Sequence, residues 1–181
     1  NSFEFLGDGV EIAFLETLPP GTALARWSTF NEYTSGDSDI DLYLYYCPNF
    51  SCTQIGSSTN VDANESVEVA FPQTGPTDFY LVFTHGFETD GPVADVILFD
   101  HAFGVVDDRE NMTVTAPASA ANGETATLEV DWSGLVTGPG AKQLGAISHS
   151  DASGVQDLTL INIENDEGST LCDFAPFIGC E

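Results

Sequence analysis

Asp37, Asp39 and Asp41 stand on alternate positions of SGDSDIDLYLYY (35–46). An extended strand turns such a pattern into one row of carboxylates, because side chains at i, i+2 and i+4 share a face. Three like charges at that spacing repel unless a cation or solvent comes between them. Calcium is the hard cation suited to an all-oxygen set completed by backbone carbonyls. An EF-hand loop also starts D-x-D-x-D, but it needs Gly at its sixth place and Glu at its twelfth. Leu42 and Pro48 stand there, so this is no EF-hand. A merely solvated acidic edge is the competing reading, since 29 of the 181 residues are Asp or Glu. Asp62, Asn64 and Glu65 in NVDANES, and Asp90 in ETDGP, are further oxygen donors, although turns favour Asp and Asn without any ligand. Paired-carboxylate catalysis needs a pocket and two differently tuned groups, which a strand edge does not offer.

Tyr43 and Tyr45 continue the aspartate row, and Phe87 lies at the end of a second aromatic strand, with Tyr33, Tyr46 and Phe50 nearby. Exposed rings on a β-sheet form a platform for extracellular polymers such as collagen or polysaccharide, while rings on the apolar face fill a core. Trp27 and Trp132 are expected in the core between sheets. His85, His101 and His149 are scattered. SHSD (148–151) contains Ser, His and Asp, but neighbours along one strand cannot meet in triad geometry. Cys47 and Cys52 flank PNFS, and Cys172 and Cys180 flank DFAPFIG. Neither pair has CxxC spacing and no histidine lies close to either in sequence, so zinc is disfavoured. Two short disulfides are expected, one pinching a loop and one tying the tail, which implies a secreted, extracellular protein.

The elements that must position these groups are strands. Short period-2 stretches alternate with Gly, Pro, Asn and Asp clusters, and no helical stripe occurs. The expected strands are VEIAFL (10–15), TALARWSTF (22–30), IDLYLYY (40–46), SVEVAF (66–71), DFYLVFTHG (78–86) and ADVILFDHAFG (94–104). In the third of these, Ile40, Leu42 and Leu44 should face the core. After DDREN come MTVTAPA (112–118), ATLEVDWSGL (126–135), KQLGAISHS (142–150) and LTLINIEN (158–165). The pattern predicts an all-β protein: an antiparallel β-sandwich or jelly roll over 1–107, then a smaller fibronectin- or immunoglobulin-like unit over 108–181. Four strands make a thin second unit, which FEFL near the N-terminus, or a strand of the first unit, could complete.

Net charge is −26, with only three Lys and Arg. Such a surface repels nucleic acid and anionic membranes, which are bound through basic side chains. It attracts cations instead. No apolar run approaches the ~20 residues of a membrane span. With no initiator Met and no basic n-region before an apolar stretch, the chain is expected to be a mature or excised piece of a longer product.

The order of LARWSTFNEYTSGDSDIDLYLYYC, TDFYLVFTHGFETDGPVADVILFDHAFG and NMTVTAPASAANGETATLEVDWSGL…KQLGAISHSD resembles the β region that follows the catalytic domain in secreted subtilisin-like serine proteases. The stretch around D-x-D-L-Y is similar to a bacterial pre-peptidase C-terminal domain, and the last part resembles the fibronectin-like strands that end such proteases. The resemblance covers roughly residues 10–165. It implies a non-catalytic accessory region whose partner is the catalytic domain of the same precursor. The protease motifs D-[ST]-G, H-G-T and G-T-S-M are absent from the chain, and THG (84–86) runs on into Phe87.

Overall fold

The computed structural model describes residues 2–104, 107–121, 123–135 and 141–164. The chain divides into two compact units at about residue 105. The first holds β1 (Ser2–Leu6), β2 (Glu11–Glu16), β3 (Thr22–Thr29), β4 (Asp39–Pro48), β5 (Thr53–Ser58), β6 (Glu65–Ala70), β7 (Asp78–Glu88) and β8 (Ala94–Gly104). One sheet has the order β1-β8-β3-β6 and the other β2-β7-β4-β5. All neighbours within both sheets are antiparallel. Consecutive strands switch repeatedly between sheets, giving the eight-stranded jelly roll expected from the pattern.

Alternation places the core. Ala25 and Trp27 of β3, Leu42 and Leu44 of β4, Val67 of β6, Tyr80 and Val82 of β7 and Leu98 of β8 form one buried cluster. Each large apolar side chain taken from water in this way contributes about 1.5–3 kcal/mol. Trp27 also donates from Nε1 to Glu16 at 2.8 Å, so its one polar atom is satisfied at the edge of the core. A second cluster joins Leu6, Ile40, Ala63, Ala94 and Val96. On β8 the run VILF is buried on both faces, because a 3-10 turn at Asn31–Tyr33 brings Tyr33 over Ile97 and Phe99. That explains why β8 lacks polar alternation.

Two features differ from expectation. FEFL does not complete the second unit: β1 pairs with β8 along Ser2–Leu6, and Leu6 is fully buried in the first. Its backbone pairs along the edge of that larger sheet. β5, TQIGSS, is a strand the pattern did not announce. Its side chains are mostly exposed on an edge, so no apolar alternation marks it.

The second unit contains two antiparallel pairs. β9 (Met112–Thr115) pairs with β10 (Glu129–Trp132), and β11 (Lys142–Asp151) pairs with β12 (Gly154–Glu164). The β11–β12 hairpin closes at Asp151, whose Oδ1 accepts from both the backbone N–H and the hydroxyl of Ser153. Gly154 follows at φ +119°, a conformation that favours glycine. A Cβ on Gly145 would touch Met112, so β11 passes close to the β9 side chains. Trp132 is 51% exposed rather than a core residue; it ends a four-residue strand whose burial pattern is otherwise also mostly exposed. Cys172 and Cys180 lie outside the described residues.

Candidate binding face on the outer sheet

Cross-strand partners share a face, so the registers of β2, β7, β4 and β5 define what the β2-β7-β4-β5 sheet presents away from the core. One row across it reads Glu11, His85, Asp41. The next reads Ala13, Phe83, Tyr43, Ser57, and the one after Leu15, Leu81, Tyr45, Gln54. Phe79, opposite Cys47, closes the series. This outer face therefore carries a band of rings and aliphatic groups instead of the polar residues usual on a solvated sheet. Leu15 is 59% exposed and Phe87 60% exposed.

Rings meet in three groups along the band. Phe50 and Phe79 have centroids 5.5 Å apart, Tyr45 and Phe83 5.3 Å, Tyr43 and His85 6.3 Å, and His85 and Phe87 6.2 Å. A register shift between Asp39 and Ile40 lets β7 carry an extra residue there, which sets Phe87 beside His85. At the opposite end the Cys47–Cys52 disulfide closes the β4–β5 hairpin. Its tip holds Asn49 at φ +50° and Phe50 at φ +64°, conformations uncommon for such residues. Phe50 is consequently held 86% exposed against Phe79.

Four of the sequence-derived platform residues thus come together here: Tyr43, Tyr45, Phe50 and Phe87. Tyr33 does not, being fully buried under the 3-10 turn, and Tyr46 packs against the inner core. Phe79, Leu81, Phe83 and Leu15 were missed. The available signal was DFYLVFTHGFE, where both period-2 faces are apolar although one core face is all a sandwich sheet requires.

Polar groups sit at the upper end of the band. Tyr43 donates its hydroxyl to Asp41 at 2.9 Å, and burial together with that carboxylate pushes the phenol up to about 12. His85 Nδ1 lies 3.5 Å from Asp41, longer than a good hydrogen bond but within ion-pair range when the ring is protonated.

The three aspartates of the opening motif separate. Asp41 is buried on the outer face, Asp39 stands opposite Glu88 at the start of β4, and Asp37 stays in an exposed loop. Burial, then the charges of Asp41, Glu88 and Asp62, hold the Asp39 carboxyl above its usual range. Glu65, only 1% exposed, is likewise raised by burial and by Asp41 and Asp62, against hydrogen bonds from Ser58 and the Asn60 N–H. Asp39 Oδ1 and Glu65 Oε2 are buried without hydrogen-bond partners. Asp62 and Asn64 are instead satisfied by their own turn and by the 3-10 turn: Asp62 accepts from Asn64 and Asn31, which lowers its pKa. Among the described residues, no three Asp, Glu, His or Cys side chains converge in a metal-binding group. His149 bonds Thr159 across the hairpin at 2.8 Å. No helix among the described residues is long and apolar enough to cross a membrane. The disulfide is compatible with an oxidising compartment. Searches with this chain match no protein-family profile and no curated protein.

Proposed function

We propose that this chain is the non-catalytic accessory region of a secreted subtilisin-like serine protease, holding an extracellular polymer on the outer β7–β4 face near the catalytic domain of its precursor. The observation that carries the reading is the half-buried band Phe79, Leu81, Phe83, Tyr45 and Tyr43, ending in the exposed Phe50 and Phe87, on a sheet whose other face already supplies the core. Rigid rings provide large contact area at small conformational cost, which suits a repetitive, extended ligand. The strand order resembling protease-associated β regions supports the same conclusion. Because such a protease cleaves polypeptide, an insoluble protein such as collagen is the polymer expected.

The test is retention on insoluble collagen, with chitin as the polysaccharide arm, for the parent chain and for a Tyr45→Ser/Phe87→Ser double variant. Retention of the parent on collagen, reduced at least tenfold in the variant, is the expected outcome. No retention on either solid would refute the platform. A stand-alone polymer-binding or adhesion module is the second reading, favoured by a jelly-roll core that closes on itself within residues 2–104. A reading frame continuing upstream into a catalytic domain selects the first reading, and a frame without one selects the second.

Calcium belongs to the same proposal. Of Asp37, Asp39 and Asp41, the last two lie on β4 at one end of the sheet, and Asp39 Oδ1 is buried without a hydrogen-bond partner. Since no three side chains converge among the described residues, a bound ion would be held weakly, drawing remaining ligands from backbone and water. Melting with millimolar Ca²⁺ against chelator should show a rise of a few degrees, since a ligand of the folded state stabilises it. An unchanged midpoint ends the calcium proposal.

A further inference from the structure

We infer that the polymer segment docked on this face is cationic, an extended polypeptide bearing Lys or Arg side chains. The inference rests on the platform reading above and goes beyond it by naming the chemistry of the occupant. Only one Lys or Arg occurs within residues 2–104, and it is remote from the band. Arg26 lies on β3 of the other sheet, opposite Glu68, and donates to its carboxylate from both Nε and Nη2. The β2-β7-β4-β5 sheet therefore offers no Lys or Arg to an anionic partner, and the net charge of −26 opposes one.

What the face does offer is rings bordered by carboxylates. Glu11 and Asp41 flank His85 on either side in one row, and Asp39 and Glu88 oppose each other just beyond. Tyr43 and Phe87 lie in ring contact with that same His85. A Lys or Arg side chain fits this arrangement in both of its parts. Its methylenes cover ring faces, its charged head is attracted to the ring quadrupole, and the head reaches the bordering carboxylates. The exposed Glu11 carboxylate, which stands opposite the His85 ring and not opposite a Lys or Arg, is the natural counter-charge. A neutral polysaccharide would use the rings but leave the carboxylate border without purpose.

The probe is a fluorescein-labelled 20-residue peptide of Lys, Pro and Gly, with its Nε-acetylated counterpart as the uncharged control, read by anisotropy at 150 mM salt on the full chain. Three substitutions separate the face from the general acidity. Glu11→Gln and Phe87→Ser alter exposed side chains of the face, and Asp157→Asn makes the same charge change on β12 of the second unit. Expected results are at least fivefold weaker binding for Glu11→Gln and for Phe87→Ser, under twofold change for Asp157→Asn, and at least tenfold loss on acetylation. Equal effects of Glu11→Gln and Asp157→Asn, or no effect of Phe87→Ser, would overturn the inference, leaving only attraction by the overall charge. Equal binding of the acetylated peptide would overturn it too, while leaving the polymer platform intact. Failure of both peptides together with failure on collagen and chitin would remove the platform itself.

Discussion

Replacing Glu65 by Gln should stabilise the first unit at neutral pH. Glu65 opens β6 on the face it shares with the buried Val67, opposite the fully buried Thr29 of β3. Its Oε1 accepts from the Asn60 N–H, while its Oε2 and the Thr29 hydroxyl are both buried without partners. Burial first, then the charges of Asp41 and Asp62, disfavour the ionised carboxylate there. Gln keeps the accepting oxygen, removes the charge and brings an NH₂ donor to the side of Thr29. An uncompensated buried polar group costs about 1–3 kcal/mol. Relieving most of that should raise stability by about 1–2 kcal/mol, or roughly 5–10 °C for a unit of this size.

The pH dependence fixes the sign. Because the folded-state pKa of Glu65 is raised, the folded protein binds this proton more tightly than the unfolded chain. Its contribution is fully present below the ordinary value of 4.5 and is lost as pH rises through the folded value. The gain from Glu65→Gln should therefore be largest near pH 7 and shrink towards pH 4. Thermal and urea melts followed by Trp27 fluorescence in a Trp132→Phe background would measure it. Destabilisation by more than about 1 kcal/mol at pH 7 would refute the reasoning, because it would mean that the charge is compensated in the folded state. Repeating that melt with chelator would show whether a cation does so.

Other consequences follow from the same geometry. Leu42→Ala removes a fully buried side chain from the main core and should cost about 2–5 kcal/mol in a urea melt. Leu15→Ala on the exposed face should change stability by no more than about 0.5 kcal/mol, yet weaken polymer retention. Reducing Cys47–Cys52 opens a short loop and should cost about 2 kcal/mol. It should also lower collagen retention through the freed Phe50, and equal retention by oxidised and reduced protein would remove the hairpin tip from the binding face.

Local pattern carried much of the first unit. The alternation in IDLYLYY sends Ile40, Leu42 and Leu44 inward and Asp41, Tyr43 and Tyr45 outward, because a strand's period of two depends on nothing beyond the strand. The same logic placed Trp27 in the core. It failed where no apolar alternation exists, as in β5, and at Trp132, which is exposed.

Composition and period alone therefore determined the all-β class, most strands of the jelly roll and the outward face of β4. Which strand lies beside which was decided only by the tertiary structure. Tyr45 meets Phe83, and His85 stands between Glu11 and Asp41, through pairings that span about 40 to 75 residues of chain. Those neighbours are selected by the joint burial of two whole sheets, a condition that no short stretch of chain expresses. The same selection broke up the aspartate row, leaving Asp37 in solvent, Asp39 at the rim facing Glu88, and Asp41 buried beneath the hydroxyl of Tyr43.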